Sequence, residues 1–123
     1  MGSAGAPKTI LVTGAGGFIG SALCVALAAQ GHRVIGQTRR PPADSQNREV
    51  TGIQWVVREM PSAHDADWQS LLQGVDAVIH LAARAHQHTA GQSLDDLRAV
   101  NVHGTLNLAR QAGEAGVGQF IYL

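Results

Sequence analysis

The sequence predicts an α/β fold, an open doubly wound sheet of five parallel strands in the order 3-2-1-4-5. Three observations carry that prediction. Strand-like and helix-like segments alternate along the 123 residues. The strand-like segments are short, apolar and not alternating, which suits a sheet covered on both faces. A glycine-rich turn, Thr13-Gly14-Ala15-Gly16-Gly17-Phe18-Ile19-Gly20, stands between the first strand and the first helix.

Each element follows in order. Thr9 to Thr13 is an apolar run and reads as a buried strand. Phe18 to Gln30 reads as a helix, because Ile19, Ala22, Leu23, Ala26 and Leu27 recur at three and four residues and make one apolar face. Gly31 stands where helices commonly end. Arg33 to Thr38 is the second strand. The polar stretch from Arg39 to Gly52, with Pro41-Pro42 near its start, reads as a loop. Ile53 to Val57 is the third strand. Asp65 or Asp67 is placed to cap a short helix through Trp68, Leu71 and Leu72. Asp76 precedes the fourth strand, Ala77 to His80. A long helix covers about Leu94 to Ala115 and ends at Gly116, and Gln119 to Leu123 begins a fifth strand. The connections contain helices or are long enough for right-handed crossovers. No internal repeat or low-complexity segment interrupts them.

Strand, glycine turn and helix start, in that order, make a cradle for a pyrophosphate. The helix N-terminus offers unpaired N–H groups and the positive end of its dipole. Gly14 allows a sharp turn, Gly17 removes a Cβ where phosphate oxygens approach, and Gly20 lets the helix lie close to the strand. In a doubly wound sheet the ligand lies beyond the carboxyl ends of the strands, at the reversal of strand order. The turn falls there.

The spacing Gly-x-x-Gly-x-x-Gly after Thr13 resembles that of the extended short-chain dehydrogenase/reductase family, which includes nucleotide-sugar epimerases, dehydratases and 4-keto reductases. Two further segments carry the resemblance. Asp76-Ala77-Val78-Ile79-His80-Leu81-Ala82-Ala83 is similar to the family's Asp-x-x-x-His-Leu-Ala-Ala, and Asn101-Val102-His103-Gly104-Thr105 to its Asn-x-x-Gly-Thr. The resemblance implies the N-terminal, NAD(P)-binding Rossmann-type part of such an enzyme. It implies that Gly14, Gly17, Phe18, Ile19 and Gly20 face the pyrophosphate. Leu81, Ala82 and Ala83 would lie against ribose or nicotinamide, and Asn101 would brace the site or touch the cofactor. His80 reads as a hydrogen-bonded core histidine, and Asp76 as a residue that secures the turn before its strand.

Cofactor choice should be set at the end of the second strand. Carboxylates there accept the ribose hydroxyls of NAD, whereas arginine binds the 2′-phosphate of NADP. Thr38 occupies the family's usual acidic position, and Arg39 and Arg40 follow it. Arginine pairs well with phosphate, so NADP is favoured over NAD; the competing reading makes both arginines solvated loop charges. Arg58-Glu59-Met60 stands where the family commonly has Gly-Asp-Leu or Gly-Asp-Ile. Glu59, with Met60 beside it, either meets the adenine amino group or, being longer than Asp, does not. Ala82-Ala83-Arg84-Ala85-His86 is similar to a run in a subgroup of bacterial nucleotide-sugar 4-keto reductases and epimerases. That places Arg84 and His86 on the substrate side of the crevice, with an exposed loop as the equal alternative. His86 and His88 lack a third ligand nearby, so no metal site is expected.

Composition narrows the function classes. Nine basic and nine acidic residues give a formal net charge of zero, which argues against nucleic-acid and membrane-surface binding. The 45% of hydrophobic residues is ordinary for one globular domain, and no apolar run approaches a membrane span. Residues 1–7 read as a flexible leader without a secretory signal, and 8–123 as the domain. The single cysteine, Cys24, excludes an intrachain disulfide and fits a reducing cytoplasm. It reads as a small buried residue inside the first helix.

The family's chemistry needs a Tyr-x-x-x-Lys pair and a Ser or Thr. The chain has one tyrosine, Tyr122, in the fifth strand, and one lysine, Lys8, at the other end. No catalytic residue is therefore assigned, and residues 1–123 are expected to be inactive on their own. The expected parent is an NAD(P)-dependent nucleotide-sugar oxidoreductase transferring hydride to or from a 4-keto or 4-hydroxy sugar. A 4-epimerase or dehydratase with tightly bound NAD is the nearest alternative. A non-catalytic NAD(P)-binding sensor or scaffold is the alternative from another class. A sheet ending at its fifth strand leaves an edge that invites self-association.

Overall fold

The computed structural model describes residues 6–39, 52–58, 68–81 and 102–123. Within them lie the strands β1 (Thr9–Thr13), β2 (Arg33–Thr38), β3 (Ile53–Val57), β4 (Ala77–His80) and β5 (Gln119–Tyr122). All pair in parallel, in the order β3-β2-β1-β4-β5. The expected doubly wound sheet is the observed one. The helices are α1 (Phe18–Ala29), α2 (Gln69–Leu72) and α3 (Gly104–Glu114). The helix α3 is the second half of the one expected over 94–115. Leu94, Leu97, Asp65 and Asp67 lie outside the described residues.

The apolar strands divide their side chains strictly between two layers. Ile10, Val12, Val34 and Ala77 point to one face, where Cys24 of α1 and Ala15 join them. Leu11, Ile35 and Val78 point to the other, against Trp68 and Leu72 of the α2 region and Leu108 and Ala112 of α3. Both faces are covered, so neither needs polar residues, and the strands read as continuous apolar runs. Leu11, Val12, Val34 and Val78 are fully buried. Burying each such side chain is worth roughly 1.5–3 kcal/mol against leaving it in water.

A polar network fastens α2 to α3. The Trp68 backbone N–H donates to Gln111 Oε1 at 2.8 Å, and Gln111 Nε2 donates to Asn107 Oδ1 at 3.1 Å. The Arg58 guanidinium lies 5.1 Å from the centre of the buried Trp68 ring, a cation–π contact that closes this layer near β3. At the amino end of the sheet, Asp76 Oδ2 accepts from the Thr9 N–H at 2.8 Å. Asp76 therefore secures the strand starts, as expected, at the end opposite the glycine turn.

One row across the carboxyl end breaks the apolar pattern. Gln37, Thr13 and His80 are neighbours in register on β2, β1 and β4. All three are buried. By the two-residue period they share the face of Leu11, Ile35 and Val78. This row lies directly beneath the glycine turn.

Candidate functional site

The turn from Gly14 to Gly17 is built by backbone contacts that leave little room for side chains. Gly14 has φ of 69°, which favours glycine. A Cβ on Gly20 would lie 2.2 Å from the Gly14 carbonyl oxygen, so only glycine lets α1 start this close to β1. Gly17 is different. It has an ordinary φ of −76°, and among the described residues a Cβ there would meet only the Gly14 carbonyl oxygen, at 3.4 Å. The packing of the described residues does not demand glycine at 17.

The hydrogen bonds of the turn separate structural amides from available ones. The Gly14 N–H donates to Gln37 Oε1 at 3.0 Å, Ala15 N–H to the Gln37 carbonyl at 2.8 Å, and Gly17 N–H to the Gly14 carbonyl at 3.1 Å. No hydrogen bond joins the amides of Gly16, Phe18, Ile19 or Gly20 to another described residue. Among the described residues no side chain caps α1, and its first turn carries no acidic residue. An uncapped helix start with free amides is electrostatically suited to an anion. The structure thus narrows the expected donors: Gly14 and Gly17 shape the turn, while Gly16 and the first residues of α1 present N–H groups. Phe18 and Ile19 are strongly exposed at this point, at 95% and 68%.

Thr38 is buried at the end of β2, against the turn. A Cβ on Gly16 would come 2.3 Å from Thr38 Oγ1, so the hydroxyl fills the space beside that glycine. No carboxylate stands at this position, and the half-buried Arg39 follows. Arg40, Glu59, Met60, Ala82, Ala83, Arg84, His86 and Asn101 lie outside the described residues.

At the end of β4, His80 is held on both sides. Its Nδ1 lies 2.7 Å from Thr13 Oγ1, and its Nε2 lies 2.9 Å from Thr105 Oγ1 on α3. The Leu81 N–H also donates to Thr13 Oγ1, at 3.0 Å. A neutral imidazole donates through one ring nitrogen and accepts at the other, and each of the two faces a threonine hydroxyl able to take either part. Burial lowers the His80 pKa to about 4, so the ring is neutral at physiological pH. His80 is the hydrogen-bonded core histidine that the sequence suggested. Burial also pushes the Cys24 thiol up to about 11, which fits a packing residue rather than a nucleophile.

Gln37 is the site residue that sequence reasoning missed. The signal was a lone amide inside an apolar strand, since a buried amide must find partners. Among the described residues no group of three or more His, Cys, Asp or Glu is placed to hold a metal ion. No helix among them is long and apolar enough to cross a membrane.

This geometry can be set beside known proteins. Residues 10–123 match the NAD dependent epimerase/dehydratase family. The chain belongs to that family. Among the family's curated relatives, it is 32% identical over 119 residues to a UDP-glucose 4-epimerase of Vibrio cholerae, covering 95% of this chain and 34% of the relative. It is 37% identical over 116 residues to a 2-alkyl-3-oxoalkanoate reductase of Stenotrophomonas maltophilia, covering 92% of this chain and 32% of the relative. A short-chain dehydrogenase/reductase superfamily protein from Agrobacterium tumefaciens, solved with bound NAD, superposes with a TM-score of 0.72 at 36% identity. That match covers 93% of this chain and 31% of the other. MoeE5, solved with UDP-glucuronic acid and NAD, gives 0.74 at 27% identity, covering 93% of this chain and 36% of that one. The chain thus spans about a third of the length of the family members it matches.

Proposed function

We propose that this chain is the cofactor-binding part of an NAD(P)-dependent nucleotide-sugar oxidoreductase that prefers NADP. The observation that carries the proposal is the uncapped start of α1. Among the described residues the amides of Gly16, Phe18, Ile19 and Gly20 have no hydrogen-bond partner, at the exposed start of α1 beside the end of β1. These residues hold the pyrophosphate. Leu81, Ala82 and Ala83 line the nicotinamide half, with Asn101 as a brace and Glu59 and Met60 toward adenine. The bound dinucleotide supplies the hydride donor or acceptor. Around it the chain's own work is to bind, orient and exclude water; proton transfer falls to the family's tyrosine, which the described strand residue Tyr122 does not replace.

The sugar assignment is supported by the UDP-glucose 4-epimerase among the relatives and by the UDP sugar bound to MoeE5. Arg84 and His86 would face that substrate. The same epimerase relative favours the second reading, a 4-epimerase that regenerates NAD in place. Net oxidation or reduction of the cofactor during turnover separates the two.

NADP preference rests on Thr38, Arg39 and Arg40. Thr38 brings no carboxylate to repel a 2′-phosphate, and arginine forms charge-assisted bonds to one. Titration of the protein with NADPH and NADH tests this reading. NADPH should bind more tightly, and Arg39→Ala should weaken NADPH by roughly tenfold while leaving NADH nearly unchanged. Tighter binding of NADH by the unaltered protein would reject the preference. Failure to bind either would reject the cofactor site.

A further inference from the structure

Gln37 is fully buried inside β2, yet its side chain reaches two other strands. Its Oε1 accepts from the Gly14 N–H at 3.0 Å, at the start of the glycine turn after β1. Its Nε2 donates to the Arg58 carbonyl, where the chain leaves β3. The main chain repeats both links. The Gln37 carbonyl accepts from the Ala15 N–H, and the Arg58 N–H donates to the Thr38 carbonyl, each at 2.8 Å.

The chemistry asks for an amide. One end must accept and the other must donate, across a distance that spans one strand. Leucine would leave the Gly14 N–H and the Arg58 carbonyl without their present partner. An ionised glutamate would accept from Gly14 but has nothing to donate to Arg58. The strand neighbours Val34 and Ile35 show that this stretch otherwise buries apolar residues. Gln37 belongs to the buried polar row at the end of the sheet, and apolar packing alone does not account for it.

We infer that Gln37 is a positioning residue whose side-chain amide clasps the glycine turn after β1 to the chain leaving β3, holding the pyrophosphate side and the adenine side of the dinucleotide site as one rigid unit. The inference rests on the cofactor reading above. A ligand that spans both sides gains from a fixed spacing, because less ordering remains to be done on binding. A ligand that touches the turn alone gains nothing from it.

That difference supplies the test. NADPH spans the clasp, whereas inorganic pyrophosphate engages the turn only. In Gln37→Leu the Kd for NADPH should rise about tenfold, and that for pyrophosphate should change less than about twofold. An equal loss of both ligands, or no loss of either, overturns the clasp while leaving the cofactor reading intact. If the unaltered protein binds no NADPH, both fall. Should Gln37→Leu not fold, Gln37→Glu gives a second reading. A protonated carboxyl restores the donor and an ionised one removes it. NADPH affinity of Gln37→Glu should then weaken as pH rises, against a level profile for the unaltered protein; parallel profiles overturn the inference.

Discussion

The ends of β1 and β4 are neighbours in the sheet, yet they treat their polar groups in opposite ways. After β1 the chain turns into α1 and leaves the amides of Phe18, Ile19 and Gly20 without a partner among the described residues. At the end of β4 the described polar groups are paired. His80 uses both ring nitrogens, and the Thr13 hydroxyl serves both the ring and the Leu81 N–H. Buried polar groups need protein partners, whereas groups at an exposed helix start are left to solvent or to a ligand. A closed end is a brace. The comparison teaches that one end of the sheet carries both kinds of ending side by side: a paired floor at β4 and Thr13, and a helix start at α1 that pairs with no other described residue.

The comparison breaks most visibly at Gly20. Gly20→Val puts a side chain where even a Cβ lies 2.2 Å from the Gly14 carbonyl oxygen. Forcing the helix away from β1 should cost on the order of 3 kcal/mol, read from urea unfolding. A loss below the error of that measurement would mean that the close approach is not needed.

The brace at β4 should show itself through pH. The folded His80 pKa of about 4 lies below its unfolded value of about 6.5. Between those values the unfolded chain takes up a proton that the folded one refuses. Stability is therefore full above about pH 6.5 and falls as pH drops toward 4. At pH 5 the His80 contribution lost should be about 2 kcal/mol. The stability gap between the unaltered protein and His80→Leu should narrow by that amount from pH 7 to pH 5. A gap independent of pH would contradict the buried neutral ring.

Thr105→Val isolates one bond of the same brace. It leaves the His80 Nε2 without the Thr105 hydroxyl and should cost about 1 kcal/mol in the same assay at pH 7. A shift in the imidazole nitrogen resonances should accompany it, because Nε2 loses its hydrogen-bond partner.

Gly17→Ala should have the smallest effect on stability, within about 1 kcal/mol, because φ is compatible and the Cβ meets only an ordinary contact. Binding of NADPH should nevertheless weaken. Unchanged binding would show that the space above Gly17 is not where phosphate approaches.

Much of the fold was legible because its signals are local. Val34-Ile35 and Ala77-Val78-Ile79 announce strands by composition, and a sheet covered on both faces tolerates such runs. The stops were equally local: Gly31 and Gly116 stand within two residues of the ends of α1 and α3. The boundaries of β2, β3 and β4 follow from these cues. The glycine turn was legible for the same reason, since turn, strand and helix start are contiguous.

The division of labour within the site was not legible. Nothing in Thr13-Gly14-Ala15-Gly16-Gly17 says which amide is consumed by the fold and which remains open. That depends on Gln37, 23 residues away, whose oxygen takes the Gly14 proton. His80 could be read as a core residue, but its partners Thr13 and Thr105 stand 67 and 25 residues distant.

By itself the sequence determined the order of strands and helices, the place of the turn and the family to which the chain belongs. Backbone propensity and apolar patterning act over a few residues, and those features need nothing more. Only the tertiary structure decided that Gln37, Thr13 and His80 form one buried polar row under the turn, and that the first α1 amides pair with no other described residue. Hydrogen bonds are short and directional, so a partner is settled by register across the sheet and not by distance along the chain.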